Sequence, residues 1–262
     1  MRDIIIKILK QTLPKRFIVY LHAKDARNFF RKNKERVNTV ALSLADGKSK
    51  EVYLGVIKSR GGLDKYEKFS TSQAEYFQNE FFAYNENEFL IDCGAYTGDT
   101  IESFIKFVPN YKGIISFEPI PAFFKIIEEK YGNNPKIQLI NKGVWNKCEQ
   151  FNFLEQGLSS HILTSHRKDK TSIIDVVSID SLDIQEKVTL IKMDVEGAEL
   201  NALKGASRTI LQNKPKLAIC IYHSNKDMIQ LAEYIQMLNP QYKLYVRHHS
   251  NRLTDTILYG CL

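Results

Sequence analysis

Cysteine is scarce in this chain of 262 residues, and its four copies show no paired spacing. Zinc knuckles and disulfide frameworks rely on closely paired cysteines, so this spacing argues against both. No apolar run approaches the ~20 residues that a membrane-spanning helix needs. The cluster Ile4–Ile6 is cut by Lys7 and Lys10, which makes it too short for a signal-peptide core. The sequence therefore predicts a cytoplasmic protein without a transmembrane segment.

Positive charge is in excess, because 37 Lys and Arg stand against 30 Asp and Glu, a net charge of +7. Much of the excess lies within residues 1–36. Such a region suits an anionic lipid surface, nucleic acid or a phosphorylated substrate, and a solvated helix surface is the plainer explanation. From this basic region we expect one partner, a glycan-assembly complex with which the protein associates peripherally.

Residues 1–85 are basic and aromatic, and they predict a mainly helical N-terminal extension that acts as a lid. Helices are expected over Asp25–Arg36 and Lys48–Ser59, with a further short helix over Ser70–Phe82. Tyr76 and Phe77, in the last of these, are candidates to cover a ligand.

From residue 86 to residue 262 strands and helices alternate, which predicts an α/β domain with a parallel sheet. Seven strands are expected, at Phe89–Ile91, Gly113–Phe117, Ile137–Ile140, Val188–Met193, Leu217–Ile221, Lys243–Val246 and Thr256–Tyr259. The intervening helices are Asp99–Val108, Ala122–Tyr131, Ala198–Asn213 and Asp227–Leu238, and Ser172–Val177 is an extended excursion. The last two strands form an antiparallel hairpin. Ligands of such sheets bind just after the strands, where polar residues cluster here.

A glycine-rich turn follows the first strand and contains Asp92, Gly94, Ala95, Gly98, Asp99 and Thr100. Glycines permit a tight turn and a close approach of ligand, and the next helix then starts with its N–H groups facing that ligand. Glu118, twenty residues after Gly98 and followed by Pro119, can accept hydrogen bonds from ribose hydroxyls. Both NAD and S-adenosylmethionine carry such a ribose.

The charge of the turn separates these two cofactors. A dinucleotide site has the pattern G-x-G-x-x-G, whose backbone N–H groups hold a pyrophosphate. Asp92 and Asp99 would repel a pyrophosphate and suit the positive charge of S-adenosylmethionine. Asn141, Gly143 and Val144 follow the third strand and are expected to border the adenine.

Four blocks together resemble the FkbM family of S-adenosylmethionine-dependent methyltransferases: Asp92–Thr100, Phe117–Pro119, Val177–Asp180 and Ile191–Glu199. The similarity spans about residues 88–260. It implies a class I methyltransferase fold, which is Rossmann-like, and O-methylation. Substrates in this family are often sugars of surface polysaccharides, glycolipids or secondary metabolites.

Methyl transfer to a hydroxyl is assisted by a base that removes the proton or by a metal ion that binds the oxygen and lowers its pKa. His223, after the fifth main strand, is a candidate general base because its ordinary pKa of ~6.5 suits proton removal near neutrality. Asp194 and Glu196, after the fourth strand, are the other candidate catalytic residues, with helix capping as their alternative role. The same three side chains resemble a site for Mg²⁺, Mn²⁺ or Fe²⁺.

The expected acceptor is a sugar hydroxyl of a sugar nucleotide or a surface-polysaccharide precursor. The alternatives are a non-sugar small molecule or a polysaccharide substituent, and a non-catalytic module that only binds S-adenosylmethionine. Nucleic acid is not expected, because Asp194 and Glu196 would repel phosphates. Ser159, Ser160 and His161 are further candidates to contact the substrate.

Overall fold

The computed structural model describes residues 15–154, 161–163 and 171–262, with the backbone alone at 15–18, 152–154, 161–163 and 171–172. These ranges contain eleven strands and eight α-helices. The strands are β1 (Phe89–Cys93), β2 (Gly113–Phe117), β3 (Ile137–Ile140), β4 (Gly143–Val144), β5 (Glu149–Leu154), β6 (His161–Leu163), β7 (Thr171–Val177), β8 (Leu190–Met193), β9 (Lys216–Cys220), β10 (Lys243–His248) and β11 (Thr256–Cys261). The helices are α1 (Lys15–Lys32), α2 (Lys34–Ser43), α3 (Gly47–Arg60), α4 (Asp99–Phe107), α5 (Pro121–Tyr131), α6 (Glu199–Lys204), α7 (Ser207–Asn213) and α8 (Asp227–Leu238). Over the described residues, no helix has the length and apolar character needed to cross a membrane.

The main sheet has seven strands in the order β10-β11-β9-β8-β1-β2-β3. β1 pairs in parallel with both β2 and β8, and β8 pairs in parallel with β9. β11 runs antiparallel to both β10 and β9. The mostly parallel sheet with an antiparallel C-terminal hairpin, predicted from the alternating pattern, is confirmed. The chain order changes direction at β1, and open α/β sheets bind their ligands at such a switch point.

Both faces of the main sheet are covered, because side chains alternate across a strand and neighbours on β1 enter different cores. Ile91 belongs to a buried cluster that includes Val37 of α2 and Val56 of α3. Leu90 belongs to a second cluster, with Phe104 of α4. The N-terminal helices therefore share a core with the sheet, and the division of the chain at residue 85 into two domains stays a prediction.

A hydrogen-bonded contact joins the N-terminal helices to the edge strand β10. Asp46 caps α3 by accepting from the backbone N–H of Ser49. The Ser49 hydroxyl accepts from the backbone N–H of Val246 at 3.0 Å, and Asp46 also accepts from the buried Arg247 guanidinium at 3.1 Å. Glu80 forms a second ion pair with Arg247, at 2.5 Å. These bonds hold the segment before β1 against the sheet.

The expected helix over Ser70–Phe82 is wrong, because this segment is irregular in the structure. Ser70 forms an isolated bridge to His248, and Tyr76 has a left-handed backbone with φ of 49°. Phe77 and Phe82 are buried in the second core cluster. Pairing with the sheet and burial of the aromatic rings thus override the local helical pattern.

The expected single helix Ala198–Asn213 is also wrong, since α6 and α7 are separate. The break lies at Gly205, where an added Cβ would sit 2.0 Å from the carbonyl oxygen of Trp145. The backbone N–H of Asp180 donates to the Gly205 carbonyl at 2.7 Å. The Asp180 carboxylate accepts from the backbone N–H groups of Arg208 and Thr209, at 2.8 and 2.9 Å. Asp180 therefore caps a new helix at this point.

We expect Asp180→Ala to lower the free energy of unfolding by about 1 kcal/mol, because loss of a helix cap typically costs that much. Asp180→Asn keeps an acceptor oxygen and should cost less. Denaturant unfolding of the two variants measures the difference, with Asp183→Ala as a control on a neighbouring surface carboxylate. Equal stability of Asp180→Ala and wild type would contradict the capping role.

The excursion expected at Ser172–Val177 is β7, which belongs to a second sheet of four strands in the order β4-β7-β5-β6. β4 pairs in parallel with β7, and β5 runs antiparallel to β7. β4 begins three residues after the end of β3. The second sheet therefore lies next to the adenine-side loop predicted from the sequence.

Candidate active site

A cavity of about 250 Å³ opens where β1, β2 and β8 end. Its lining includes Gly94 after β1, Glu118 after β2 and Asp194 after β8. Parallel strands bring their carboxyl ends to one edge of the sheet, so residues far apart in sequence meet there. The cavity lies at the switch point of the strand order.

The turn after β1 is built on glycines with positive φ. Gly94 has φ of 88°, and an added Cβ would lie 2.0 Å from the carbonyl oxygen of Asp194. Its N–H donates to the Phe117 carbonyl at 3.0 Å. Gly98 has φ of 85°, and a Cβ there would lie 2.7 Å from the ring of Tyr131. Gly94 thus serves close contact between two loops of the site, whereas Gly98 lets α4 and α5 approach each other.

Glu118 is buried and lines the cavity, and among the described residues its carboxylate accepts only from backbone donors. The N–H groups of Tyr96 and Ile120 each donate to one of its oxygens at 2.8 Å. A carboxylate has about four acceptor sites, so each oxygen keeps capacity for a further donor. Burial raises the pKa of Glu118 to about 7, although the two backbone N–H groups act in the opposite direction.

Seven of the predicted cofactor-binding residues line the cavity. They are Gly94, Asp99, Thr100, Glu118, Pro119, Gly143 and Val144. The other four, Asp92, Ala95, Gly98 and Asn141, are not among the lining residues. Their assignment to the cofactor stays a prediction, and the structure gives two of them other partners.

Asp92 is fully buried and pairs with Lys192 of β8, which itself lines the cavity. Its carboxylate lies 3.2 Å from the Lys192 ammonium and accepts from the Ser116 hydroxyl at 2.9 Å. Burial alone would lower the pKa of Lys192, but the charges of Asp92 and Asp194 raise it above its usual value. The Asn141 amide donates to the Glu118 backbone carbonyl at 2.7 Å. Asn141 therefore steadies the residue that faces the cavity.

Two tyrosine hydroxyls donate to the Asp194 carboxylate from different parts of the chain. Tyr222 donates to Oδ1 and Tyr76 to Oδ2, both at 3.1 Å. Burial alone would raise the pKa of Asp194, but the imidazole of His223 and the charge of Lys192 lower it well below its usual range. Asp194 is therefore a carboxylate at neutral pH.

His223 lies between three carboxylates at the edge of the cavity. Its Nε2 is 3.3 Å from Asp194 Oδ1 and 3.6 Å from Glu196 Oε2, and its Nδ1 is 3.0 Å from Glu199 Oε1. Burial alone would lower the pKa of His223, but the charges of Glu199 and Asp194 raise it to about 11. The structure thus brings the three predicted catalytic residues together, with the imidazole protonated at neutral pH in this arrangement. Their catalytic roles stay predictions.

Two cavity residues, Tyr96 and Phe123, were not predicted from the sequence, because their placement depends on the folded backbone. Tyr96 and Phe123 form an edge-to-face pair with ring centroids 4.4 Å apart. Tyr76, Tyr96 and Glu196 line the cavity with left-handed φ values of 49°, 49° and 55°. Such conformations cost about 1–3 kcal/mol each outside glycine and concentrate at functional sites. No residue pattern in the sequence marks them.

Of the remaining candidates, Tyr76 lines the cavity and Phe77 is buried in the core beside it. Ser159 and Ser160 lie outside the described residues, and only the backbone of His161 is described, in β6. Contact of these three residues with substrate stays a prediction.

Comparison with known proteins shows which family this chain belongs to. The model of the methyltransferase FkbM domain matches residues 92–253. The chain belongs to the FkbM methyltransferase family. The crystal structure of the methyltransferase FkbM from Methylobacillus flagellatus KT matches with a TM-score of 0.76 and 28% identity, over 89% of this chain and 60% of that one. This chain therefore spans less than two thirds of that relative. No curated protein matches it.

Two further solved structures align more loosely with this FkbM-family chain. An rRNA methylase from Streptococcus thermophilus has 15% identity and a TM-score of 0.42, over 67% of this chain and 86% of that one. Aeropyrum pernix fibrillarin, with natively bound S-adenosyl-L-methionine, has 12% identity and a TM-score of 0.44, over 67% and 66%. Neither match bears on the acceptor of this chain.

The cavity of this FkbM-family protein fits S-adenosylmethionine, the methyl donor that membership of the family supports. Four carboxylates line it, those of Asp99, Glu118, Asp194 and Glu196, against the ammonium groups of Lys142 and Lys192. A negative excess suits a sulfonium and an α-amino group, and it disfavours the pyrophosphate of a dinucleotide. Glu118 has free acceptor capacity for a ribose. Apolar groups, among them Phe123 and Val144, form the rest of the wall.

We expect affinity for S-adenosylmethionine to rise as the pH increases through about 7, the pKa of Glu118. The ionised carboxylate accepts hydroxyl hydrogen bonds at both oxygens, whereas the acid form offers fewer acceptor sites. Calorimetric titrations at roughly one pH unit on either side of the pKa measure the change, which by two-state titration is several-fold to about tenfold. Glu118→Gln should abolish this dependence, and an unchanged slope in that variant would assign it to another group.

Proposed function

We propose that this chain transfers the methyl group of S-adenosylmethionine to a sugar hydroxyl of a sugar nucleotide or a surface-polysaccharide precursor. The observation that carries the proposal is the position of Asp194, Glu196 and His223 beside the cavity that Glu118 lines. A cofactor site and a group of proton acceptors then share one edge of the sheet. Family membership supports methyl transfer, and the sugar hydroxyl as acceptor is our inference.

Glu118 would orient the cofactor by accepting from its ribose hydroxyls, with its own carboxylate held by the N–H groups of Tyr96 and Ile120. S-adenosylmethionine supplies an already activated methyl group. The protein's task is then to hold an acceptor oxygen in line with that methyl, and such positioning can provide much of the rate enhancement.

The proton of the acceptor hydroxyl would leave toward the cluster of Asp194, Glu196 and His223. Because neighbouring carboxylates raise the pKa of His223 to about 11, the imidazole must first pass its own proton on before it can act as a base. Glu196 is the most accessible acceptor in the cluster, with 48% of its side chain exposed. The divalent cation predicted from the sequence at these residues would serve the same purpose by lowering the pKa of a bound hydroxyl.

The second candidate function is methylation of a non-sugar small molecule or of a polysaccharide substituent. A third is a module that binds S-adenosylmethionine without turnover. The aromatic pair of Tyr96 and Phe123 at the cavity suits a flat or ring-shaped acceptor of either chemical class. A cytoplasmic location and a peripheral contact with a glycan-assembly complex belong to the leading proposal. Nucleic acid does not, because phosphates flank every nucleotide of the polymer and the exposed carboxylates at the cavity would repel them; the diphosphate of a sugar nucleotide would have to lie away from these carboxylates.

A product screen by mass spectrometry tests the proposal. The purified chain is incubated with S-adenosylmethionine carrying a deuterated methyl group and with a panel of sugar nucleotides. We expect one panel member to gain a single labelled methyl on oxygen. Methylation confined to non-sugar compounds would support the second candidate, and tight cofactor binding without any product would support the module. Failure to bind the cofactor would contradict all three.

A further inference from the structure

His223 is a buried imidazole whose environment is incomplete without another group. Its side chain is 9% exposed, and within the described part of the chain neither ring nitrogen makes a hydrogen bond of acceptable geometry. Glu199 is fully buried, and its Oε2 has no hydrogen-bond partner among the described residues. Buried polar atoms are rarely left in this condition, and each instance calls for an explanation such as a bound ion.

The same residues carry an excess of negative charge. Asp194, Glu196 and Glu199 all lie within 3.6 Å of a His223 nitrogen. The Lys192 ammonium lies 3.2 Å from the fully buried Asp92 and pairs with that carboxylate. Three carboxylates therefore face a single imidazole, and their negative charge suits a divalent cation, which binds a ring nitrogen that carries no proton.

The geometry points to a divalent-cation site in which His223 Nε2, Asp194 and Glu196 bind the ion and Glu199 holds the imidazole from its other side. One ligand atom each from Asp194, Glu199 and His223 can be chosen so that all three lie within 4.8 Å of one another. A single ion cannot bind both nitrogens of one imidazole ring, so it binds either Nε2 or Nδ1. Nε2 is on the side of Asp194 and Glu196, both of which line the cavity.

Glu199 then acts as the outer carboxylate on Nδ1. Metal-bound histidines usually donate their other N–H to such a carboxylate, which fixes the ring and its tautomer. The backbone N–H of Val195 donates to Glu199 Oε1 at 2.8 Å and so orients that carboxylate. Tyr76 and Tyr222 orient Asp194 in the same way, through the hydroxyl bonds to its two oxygens. The outer contacts of a metal site are therefore already in place.

The ligand set selects the class of ion. Two carboxylates and one imidazole suit Mn²⁺, Fe²⁺ or Zn²⁺, whereas Ca²⁺ prefers a larger set made only of oxygens. The purpose of the ion, which is to bind the acceptor oxygen beside the methyl donor, rests on the proposed function. The site itself rests only on the contacts of the four residues.

Titration of the full chain with Mn²⁺, followed by electron paramagnetic resonance without cofactor or acceptor, tests the site. We expect one bound ion per chain. Glu196→Gln should weaken its binding at least about tenfold, because even outer contacts of metal sites are commonly worth 10–100-fold in affinity. Glu199→Gln should weaken it by about that same factor of 10–100. Asp194→Asn should abolish binding.

Glu186→Gln is the matched control, since its side chain is 49% exposed, close to the 48% of Glu196, and pairs with Lys112 instead. It should bind Mn²⁺ like the wild type. Because Glu196 is exposed, its variant should fold even if Asp194→Asn does not. No bound ion in the wild type, or equal affinity in Glu196→Gln and Glu186→Gln, would overturn the site. The four residues would then form only ion pairs with one another.

A parallel calorimetric titration with S-adenosylmethionine separates the two proposals. A chain that binds the cofactor but not Mn²⁺ keeps the proposed function and loses the cation site. One that binds Mn²⁺ but not the cofactor keeps the site and loses the proposed function.

Discussion

Replacing His223 with alanine is expected to lower methyl-transfer turnover by roughly 10²–10⁴-fold, the usual contribution of acid–base assistance. Affinity for S-adenosylmethionine should stay near the wild-type value, because His223 is not among the residues that line the cavity. Turnover should fall because His223 Nε2 lies 3.3 Å from the carboxylate of Asp194, a residue that lines the cavity. Turnover is measured on the acceptor that the product screen identifies, and affinity by calorimetry.

The stability of His223→Ala must be measured as well, because this substitution removes the imidazole that pairs with Asp194 and Glu199. Removing one partner of a buried ion pair typically costs about 3–5 kcal/mol. His223→Gln keeps a polar group of similar size and cannot take up a proton, so it separates folding from catalysis. A folded His223→Gln variant with wild-type turnover would exclude His223 as base and as cation ligand. A parallel loss of turnover and of cofactor affinity would point to a collapsed cavity.

Replacing Glu118 with alanine is expected to weaken S-adenosylmethionine binding by about 10- to 100-fold for each ribose hydrogen bond lost. The estimate follows from about 1.5–3 kcal/mol for a hydrogen bond to a charged group and 1.4 kcal/mol per tenfold in affinity. Calorimetric titration of the purified variant gives the dissociation constant directly.

Two comparison variants make the Glu118 result interpretable. Glu118→Ala also removes the acceptor for the N–H groups of Tyr96 and Ile120, so part of its effect is a loosened turn. Glu118→Gln retains one acceptor oxygen and should lie between alanine and wild type. Glu129→Ala removes a carboxylate that is 69% exposed on the following helix, and it should change nothing. A dissociation constant for Glu118→Ala equal to that of Glu129→Ala would refute the ribose contact.

The sheet could be predicted from the sequence because its signals are local. Apolar runs of four to six residues between helical patterns predict parallel strands, and all seven strands of the main sheet were found in this way. Strand and helix limits differ from the expectations by a few residues, as hydrogen bonding with neighbours extends β10 and β11. At Ser70–Phe82 and at Gly205 a contact from a distant segment overrides the local pattern. The helix expected over Asp25–Arg36 is divided at Asn33, between α1 and α2.

The cavity-lining residues that follow the strands could also largely be predicted from the sequence. Gly94, Glu118 and Asp194 each follow a parallel strand directly, and the edge of a parallel sheet collects such residues. Asp92 shows the limit of the argument: its side chain lies within the sheet, where strand alternation directs it toward Lys192. The charge of Asp92 is therefore neutralised by Lys192 within the fold. The negative excess of the cavity comes instead from Asp99, Glu118, Asp194 and Glu196.

The sequence by itself determined the order of strands and helices, the positive-φ glycine turn and the family, because each of these depends on short spacings along the chain. Only the tertiary structure decided the electrostatics of the cluster of Asp194, Glu196 and His223. Tyr76 contacts Asp194 across 118 residues of sequence, and Glu199 approaches His223 from the start of α6. The raised pKa of His223 follows from those approaches, since the field at a side chain depends on distances in space rather than on distances in sequence.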